Sequence, residues 1–303
     1  MRKPLSMLLV AALVLACAPA MAEGFNIAIN LKTLSSEYWQ NVKSGCDRAA
    51  AELGVNIDVQ GAAAETEIAE QVAQLETQLA GNPDAIIIAP LDGDAVIGAI
   101  QSSGYAGIVV FCDTDCAYEA KTAFVGTAND QAAYTGGVYG VALLGADTKA
   151  VIIYGQEGDN TSNLRKAGYE QALAEAGLSP VAMLSGNNTI DGATKAMEDL
   201  LNAYPDGINL VLCMNDDTAI GALNAIEAAG VTGINIIGFD GNASAIELIA
   251  AGKLTATIAQ QPVLMGDLAV QVALKALNGE AVDKVVPVDT AIIDAANAAD
   301  YLE

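Results

Sequence analysis

Polar and aromatic side chains recur just past the ends of short apolar runs in this sequence. Asp, Asn, Gln and Arg at such positions offer paired hydrogen bonds, and an aromatic face packs against the C–H face of a polyhydroxylated ring. The set suits a small ligand rich in hydroxyl groups, although Asn and Asp are also common in turns and helix caps. The candidate binding residues are Ser36, Tyr38, Trp39, Asp113, Asp115, Arg165, Asn188, Asn215, Asp240 and Gln260.

Arg165 stands apart because only one other arginine, Arg48, follows residue 22. Arg165 lies one turn into a predicted helix, where its guanidinium can fork onto two hydroxyls or a ring oxygen. An ion pair with an Asp at a strand end is the structural alternative. Arg48 has Asp47 and Glu52 nearby, and it is expected on a solvated helix face.

Catalytic motifs are missing from the chain. It contains no histidine, so imidazole catalysis and imidazole metal ligation are absent. No G-x-G-x-x-G fingerprint, phosphate-binding P-loop, G-x-S-x-G elbow or EF-hand loop occurs. Asp113 and Asp115 form a carboxylate pair that could exchange protons, but no nucleophile or set of metal ligands accompanies them. We therefore expect a protein that is not an enzyme, with no catalytic residue, no cofactor and no metal.

The first 22 residues have the order of a secretory signal peptide. Arg2 and Lys3 precede an apolar run over 5–16, and the small-residue pattern Ala20-Met21-Ala22 follows. We predict cleavage after Ala22 and export to the periplasm or the cell surface. In the alternative, Val14-Leu15-Ala16-Cys17 is a lipoprotein signal and Cys17 carries a lipid anchor.

The chain is strongly acidic, with a formal charge of −24 that becomes −26 without Arg2 and Lys3. Such a surface repels nucleic acid and anionic lipid, so no nucleic-acid partner is expected. The four cysteines beyond Ala22 fit no zinc pattern, and export permits disulfides. We expect two of them to be buried as small apolar residues, and a disulfide between the other two is left open. The first two are Cys46 and Cys213, and the others are Cys112 and Cys116.

The elements that position these side chains alternate between strand and helix from residue 25 onward. Continuous apolar runs predict buried parallel strands, and the amphipathic stretches between them predict helices such as 38–53 and 65–80. This alternation favours open doubly wound sheets, in which ligands bind beyond the carboxyl ends of the strands. The strands exceed one ordinary sheet, so we predict two α/β lobes. Predicted strands are 25–31, 55–59, 85–89, 108–112, 124–125, 150–154, 181–184, 210–214, 234–239, 254–259, 285–288 and 291–293.

An ordered series of segments carries a family resemblance. The segments are "IAINLKTLSSEYWQNVKSGCDRAAAELG", "DAIIIAPLDGDAV", "FVGTAND", "LVLCMNDDTAIGAL", "IIGFDG" and "LTATIAQQP". Together they resemble the type I periplasmic binding proteins, in particular the ribose-binding-protein group of sugar importers, over nearly all of the mature chain. The resemblance implies two doubly wound parallel-sheet lobes joined by a three-segment hinge, with the solute in the cleft between the lobes.

The resemblance also implies boundaries and residue roles. Hinge crossings are expected near Asn129, Gln261 and Asp289, so lobe one is 23–129 plus 261–289 and lobe two is 130–260 plus 290–303. The matching positions comprise a polar residue with two aromatics, a strand-end Asp, and the Arg, Asn, Asp and Gln that bind sugar hydroxyls. They are Ser36, Tyr38, Trp39, Asp113, Arg165, Asn215, Asp240 and Gln260.

Two departures from the family pattern narrow the solute. The stretch Gly186-Asn187-Asn188-Thr189 stands where the family often has an aromatic from lobe two. Thr114 and Asp115 follow Asp113 where ribose binders have Arg. Both departures argue against ribose and favour another monosaccharide, a polyol or a cyclitol.

The resemblance implies a monomer that delivers its solute to the membrane permease of an ABC importer. One alternative is a subunit that presents its ligand to a chemoreceptor or a sensor kinase. Another is a protein that binds a different small polar solute, such as a nucleoside or an autoinducer.

Overall fold

The computed structural model describes residues 24–302. The predicted signal peptide, residues 1–22, and the alternative lipid site at Cys17 lie outside these residues. None of the described helices combines the length and the apolar character needed to span a bilayer.

Strands and helices alternate along the chain, as predicted. The first stretch contains β1 (Asn26–Thr33), α1 (Glu37–Leu53), β2 (Asn56–Ala62), α2 (Ile68–Ala80), β3 (Ala85–Ile88), α3 (Gly93–Ser103), β4 (Ile108–Cys112) and β5 (Ala123–Gly126). The second contains α4 (Asn129–Leu144), β6 (Ala150–Tyr154), α5 (Asn160–Glu175), β7 (Ala182–Ser185), α6 (Ile190–Ala203), β8 (Leu210–Cys213), α7 (Asp216–Ala228), β9 (Asn235–Asp240), α8 (Ala243–Ala250) and β10 (Ala256–Ala259). The last contains α9 (Pro262–Leu277), β11 (Val285–Pro287) and β12 (Ala291–Asp294).

The strands form two six-stranded sheets, one in each lobe. Their orders are β11-β5-β4-β3-β1-β2 in lobe one and β12-β10-β9-β8-β6-β7 in lobe two. Neighbouring strands pair in parallel except β12, which runs antiparallel to β10. The chain therefore passes between the sheets three times, after β5, after β10 and after β11. The predicted fold class is confirmed.

The first sheet is covered on both faces, as its continuous apolar strands indicate. Ile29, Ile87 and Val110 lie side by side in the register and pack against α1 and α9. The alternate residues, such as Ile86 and Val109, pack against α2 and α3 on the other face. Because each strand is buried on both sides, polar side chains collect at the strand ends.

Two glycines let α1 and α9 approach closely. A Cβ on Gly45 would stand 2.0 Å from the carbonyl oxygen of Val263, and one on Gly266 would stand 2.1 Å from that of Val42. The close approach binds the late helix α9 to lobe one, although its sequence follows all of lobe two up to β10. Arg48 on α1 adds an ion pair of 2.5 Å with Asp267 while remaining about half exposed, in line with its predicted solvated position.

The disulfide left open between Cys112 and Cys116 does not form. All four described cysteines are free and buried. Cys112 packs in the core beneath α1 and α9, whereas Cys116 packs in the core on the opposite face of the sheet. Cys46 and Cys213 are fully buried, as predicted for small apolar residues.

Candidate ligand-binding cleft

The strand ends of the two lobes face one cleft. Seven of the ten candidate residues line it: Ser36, Tyr38, Trp39, Asp113, Arg165, Asn215 and Asp240. The other lining residues are Lys32, Glu65, Thr161, Met214, Asp217 and Asn242. Residues from β1, α1 and β4 of lobe one therefore meet residues from α5, β8 and β9 of lobe two.

Two aromatic residues and two carboxylates form one side of the cleft, which we call the lobe-one wall (Tyr38, Trp39, Glu65 and Asp113). The hydroxyl of Tyr38 donates to Oδ1 of Asp113 at 2.6 Å, and Nε1 of Trp39 donates to Oε1 of Glu65 at 2.7 Å. The two rings meet edge to face with centroids 5.1 Å apart. Burial and the Asp113 charge raise the pKa of Tyr38 well above its ordinary value, so its phenol remains a neutral donor.

Arg165 dominates the lobe-two side of the cleft. It is 3% exposed, and its guanidinium lies 3.5 Å above the ring of Phe239. Its Nε donates to Oδ1 of Asn129 and one terminal nitrogen donates to the carbonyl of Met214, both at 2.8 Å. That terminal nitrogen also lies 3.5 Å from Oδ1 of Asp240. Arg165 thus makes the ion pair expected of the structural alternative while it also lines the cleft.

Asp240 is held in place from behind by Gln260. Nε2 of Gln260 donates to Oδ1 of Asp240 at 2.9 Å, and its Oε1 accepts from the hydroxyl of Thr127 at 2.8 Å. Gln260 is outside the lining, so its contacts orient Asp240. Burial raises the pKa of Asp240 well above its ordinary value, although the Arg165 charge opposes this shift.

The two strand-end aspartates have unusual backbone conformations. Asp113 has a φ of 64° and Asp240 a φ of 124°, in the region that L residues rarely adopt. Strained backbone of this kind clusters at binding sites, where the surrounding fold holds a side chain in a required direction. These backbone conformations indicate that Asp113 and Asp240 are central to ligand binding in the cleft.

Direct contacts between the lobes enclose the cleft. Nζ of Lys32 on β1 lies 2.9 Å from Oδ2 of Asp159 before α5, and both side chains are 2% exposed. The hydroxyls of Thr114 and Thr161 are 2.8 Å apart. Burial lowers the pKa of the Lys32 ammonium, but the negative charges of neighbouring carboxylates, led by Asp159, outweigh burial and raise it above its ordinary value. Lys32 therefore stays charged in the closed cleft.

A further interlobe contact lies at the start of α8. The carboxylate of Glu37 accepts the Ala243 backbone N–H at 2.6 Å and the Ser244 hydroxyl at 2.9 Å. The N-cap residue of α8, Asn242, makes no capping bond with its own side chain. Glu37 of lobe one therefore caps a helix of lobe two, which favours the closed arrangement.

Two candidate residues lie beside the cleft. The carboxylate of Asp115 pairs with Lys121 and accepts the backbone N–H of Cys116, in a separate groove at the rim. Asn188 lines an adjoining groove and donates from Nδ2 to Glu65 at 2.7 Å and to Asp159 at 3.4 Å.

Four charged residues of this region were absent from the candidate set: Lys32, Glu65, Asp159 and Asp217. The position of Lys32 near the carboxyl end of a largely buried strand is the signal that identifies it. Glu65 was predicted to begin a helix over 65–80, but α2 begins at Ile68 and leaves Glu65 in the loop after β2. The position of Glu65 just past the end of β2 is the sequence signal that identifies it. Asp159 is the N-cap of α5, where it accepts the Thr161 backbone N–H at 3.0 Å.

The protein has two α/β lobes, and the chain passes between them three times. The lobes close on a buried polar cleft, and this arrangement defines a two-lobed solute-binding protein. The chain matches the model of the periplasmic binding protein domain over residues 27–281, and it belongs to that family. It is 30% identical over 277 residues to the ribose import binding protein RbsB of Salmonella typhimurium, covering 91% of this chain and 92% of that protein.

Solved structures share the fold. A periplasmic solute-binding protein of an ABC transporter from Actinobacillus succinogenes, with bound D-allose, superposes with a TM-score of 0.84 at 31% identity, covering 91% of this chain and 100% of that chain. The Caulobacter myo-inositol binding protein, bound to myo-inositol, superposes with a TM-score of 0.83 at 27% identity, covering 91% and 95%. These relatives are binding proteins, in agreement with the prediction that the chain is not an enzyme.

Proposed function

We propose that this chain is an exported, monomeric solute-binding protein that captures a monosaccharide or sugar-like polyol and delivers it to the permease of an ABC importer. The observation that carries the proposal is the convergence of both lobes on one enclosed cleft that holds carboxylates, amides, a guanidinium and two aromatic rings. Relatives named for ribose import, or solved with D-allose or myo-inositol bound, support this choice of solute.

The proposal gives the candidate residues distinct roles. Ser36, Tyr38, Trp39, Asp113, Arg165, Asn215 and Asp240 contact the solute, since they line the cleft. Hydrogen bonds with a charged partner are shorter and stronger than those between neutral groups, so Asp113, Asp240 and Arg165 contribute most of the affinity. Gln260 acts through Asp240. Asn188 and Asp115 close the edges of the site.

The apolar faces of the cleft are unequal. Among the described lining residues, the aromatic rings belong to lobe one, and the apolar side chain from lobe two is Met214. A ring stacked on Tyr38 or Trp39 therefore has no aromatic partner from lobe two among the described lining residues. Together with Thr114 following Asp113, this arrangement favours another monosaccharide, a polyol or a cyclitol over ribose.

Solute capture is proposed to occur by closure of the lobes about the three passages between the sheets. In this mechanism the hinge lies near Asn129, Gln261 and Asp289, with lobe one at 23–129 plus 261–289 and lobe two at 130–260 plus 290–303. A solute that contacts both lobes stabilises the closed state by its differential affinity for that state. The closed protein then presents one continuous surface to the permease.

A thermal-shift screen of the mature protein tests the proposal. The panel contains sugars, polyols, purine nucleosides and amino acids, and binding to the folded state alone raises the melting temperature. A ligand at one hundred times its Kd stabilises the folded state by about 2.7 kcal/mol. We expect a shift from at least one sugar or polyol. Shifts from amino acids or nucleosides alone would show that the solute class is wrong.

The two arginines of the mature chain provide a matched pair of variants. Arg165→Lys keeps the charge but loses the planar fork, so we expect it to weaken binding of the identified solute at least ten-fold. Arg48→Lys changes a half-exposed residue on α1 and should leave affinity unchanged. Equal affinity of both variants would remove Arg165 from the solute contacts.

A further inference from the structure

The charged groups around the cleft do not balance. Lys32 is paired with Asp159, and Arg165 lies beside Asp240. The Lys32 ammonium also lies near Glu65 and Asp113, so one positive charge faces three carboxylates.

Glu65 and Asp113 lack an ion-pair partner of their own. Within residues 24–302, no Lys or Arg nitrogen stands within 4.0 Å of either carboxylate. Asp217, on the lobe-two side of the cleft, likewise has no Lys or Arg nitrogen of the described residues within 4.0 Å. Taking an ionised carboxylate out of water is costly unless a cation or several donors replace the water. The closed cleft therefore lacks the positive charge that would compensate these carboxylates.

The lobe-one wall has the composition that receives an ammonium group. Each of its two carboxylates accepts two hydrogen bonds, Asp113 from the hydroxyls of Tyr38 and Thr114. Glu65 accepts from the indole N–H of Trp39 and the side-chain amide of Asn188. Each carboxylate offers about four lone-pair directions, so acceptor capacity remains after these bonds. An ammonium brings three donors and one positive charge, and it is also attracted to aromatic faces.

We infer that the solute carries a protonated amine in addition to its hydroxyls, as an amino sugar or an aminocyclitol does, and that Glu65 and Asp113 receive the ammonium. The inference rests on the proposed function, since it names the class of polyol that the same cleft takes. A neutral hydroxyl can donate to these carboxylates, but it leaves their charge uncompensated.

Burial supports the same placement. It raises the pKa of Glu65, although the Lys32 charge and the bonds from Trp39 and Asn188 oppose the shift. A bound ammonium opposes the effect of burial and returns that pKa toward its ordinary value. The charged groups that face it are Lys32 and Asp159.

Matched pairs of neutral and amino compounds test the inference by calorimetry at pH 7. The pairs are D-glucose with D-glucosamine, D-galactose with D-galactosamine, and myo-inositol with an amino-deoxy-inositol. N-acetyl-D-glucosamine and N-acetyl-D-galactosamine serve as neutral controls of similar or larger size. We expect the amine to bind at least ten-fold more tightly than its neutral partner and the N-acetyl compound to lose that advantage.

The outcomes separate the inference from the proposed function. Equal or tighter binding of the neutral member would overturn the inference and leave the sugar-binding function standing. Absence of binding by every compound, neutral or amino, would count against both. The amine preference with its loss on acetylation would support both.

Two variants locate the ammonium. Glu65→Gln and Asp113→Asn should each reduce the preference for the amine at least ten-fold while changing binding of the neutral partner less. Glu52→Gln, an exposed residue on α1, makes the same charge change away from the cleft and should retain the preference. A loss of equal size for both members of a pair would show a general role in the site and would overturn the assignment of the ammonium.

Discussion

Replacement of Arg165 by methionine is the most informative perturbation of the cleft. The change keeps a long side chain over Phe239 but removes the donors to Asn129 and the Met214 carbonyl, and it removes the cation beside Asp240. Breaking one partner out of a buried ion pair costs about 3–5 kcal/mol. Protonation of Asp240, whose pKa burial already raises, offsets part of this cost. We therefore expect a loss of about 3 kcal/mol in the free energy of unfolding at pH 7, near the low end of that range.

A double-mutant cycle separates the ion pair from simple loss of packing. Asp240→Asn keeps the shape of the side chain, and Arg165 retains its acceptors Asn129 and Met214, so this variant should cost about 1–2 kcal/mol. The double variant Arg165→Met with Asp240→Asn removes both charges, and it should lose at least about 1 kcal/mol less than the sum of the single losses.

Urea unfolding followed by circular dichroism at pH 7 and pH 5 measures these losses. The Arg165→Met loss should shrink at pH 5, because Asp240 is more readily protonated there. Arg48→Met is the control, since a half-exposed pair with Asp267 contributes within about 1 kcal/mol. Losses that add within about 0.5 kcal/mol would show that Arg165 and Asp240 are not coupled.

Three further predictions concern titration, closure and packing. Burial raises the pKa of Asp216 to about 7, so the folded state binds this proton more tightly than the unfolded state does. Stability should therefore fall as pH rises from about 4 to about 7, by on the order of 1 kcal/mol per pH unit, and Asp216→Asn should flatten this slope in urea titrations; an unchanged slope would contradict it. Glu37→Gln should reduce the closed population of the ligand-free protein about three-fold, because a neutral amide cannot make the charge-assisted bonds to α8. Small-angle scattering checks this, and an unchanged radius of gyration would argue against Glu37 as a closure contact. Gly45→Ala should cost about 1–3 kcal/mol, because its Cβ meets backbone, whereas the open site of Gly98 in α3 should accept Ala without loss. Equal melting temperatures would show that α1 and α9 are not held at this distance.

Local pattern was enough to predict the elements and the edge of the sheets where polar side chains gather. Asn215 illustrates this, because it ends the apolar run of β8 and also caps α7 through a reciprocal bond with Thr218. Short apolar strands and helix caps depend on neighbours within a few residues, so the sequence carries them directly. The same dependence explains why the bounds of β1, β4, β8 and β9 were predicted to within a few residues.

The predicted start of α2 at Glu65 was wrong, because α2 begins at Ile68. This difference shows what local sequence pattern cannot predict. Glu65 favours helix by composition, but the chain after β2 turns into the cleft, and Glu65 instead bonds Trp39 and Asn188 from the two lobes. Tertiary bonds to two distant segments outweigh the small helix propensity of one residue.

The two-lobed α/β fold, the lack of catalytic motifs and seven of the residues that line the cleft were predictable from the sequence. The pairing of charges in the cleft, by contrast, depends on the folded arrangement of the two lobes. Lys32 meets Asp159 across 127 residues of sequence, and Asp115 turns to Lys121 beside the cleft. Periodicity fixes which residues reach a strand end, whereas the partner of a charged side chain depends on how two separate sheets approach. That approach also set the excess of carboxylates in the cleft, and with it the kind of solute we infer.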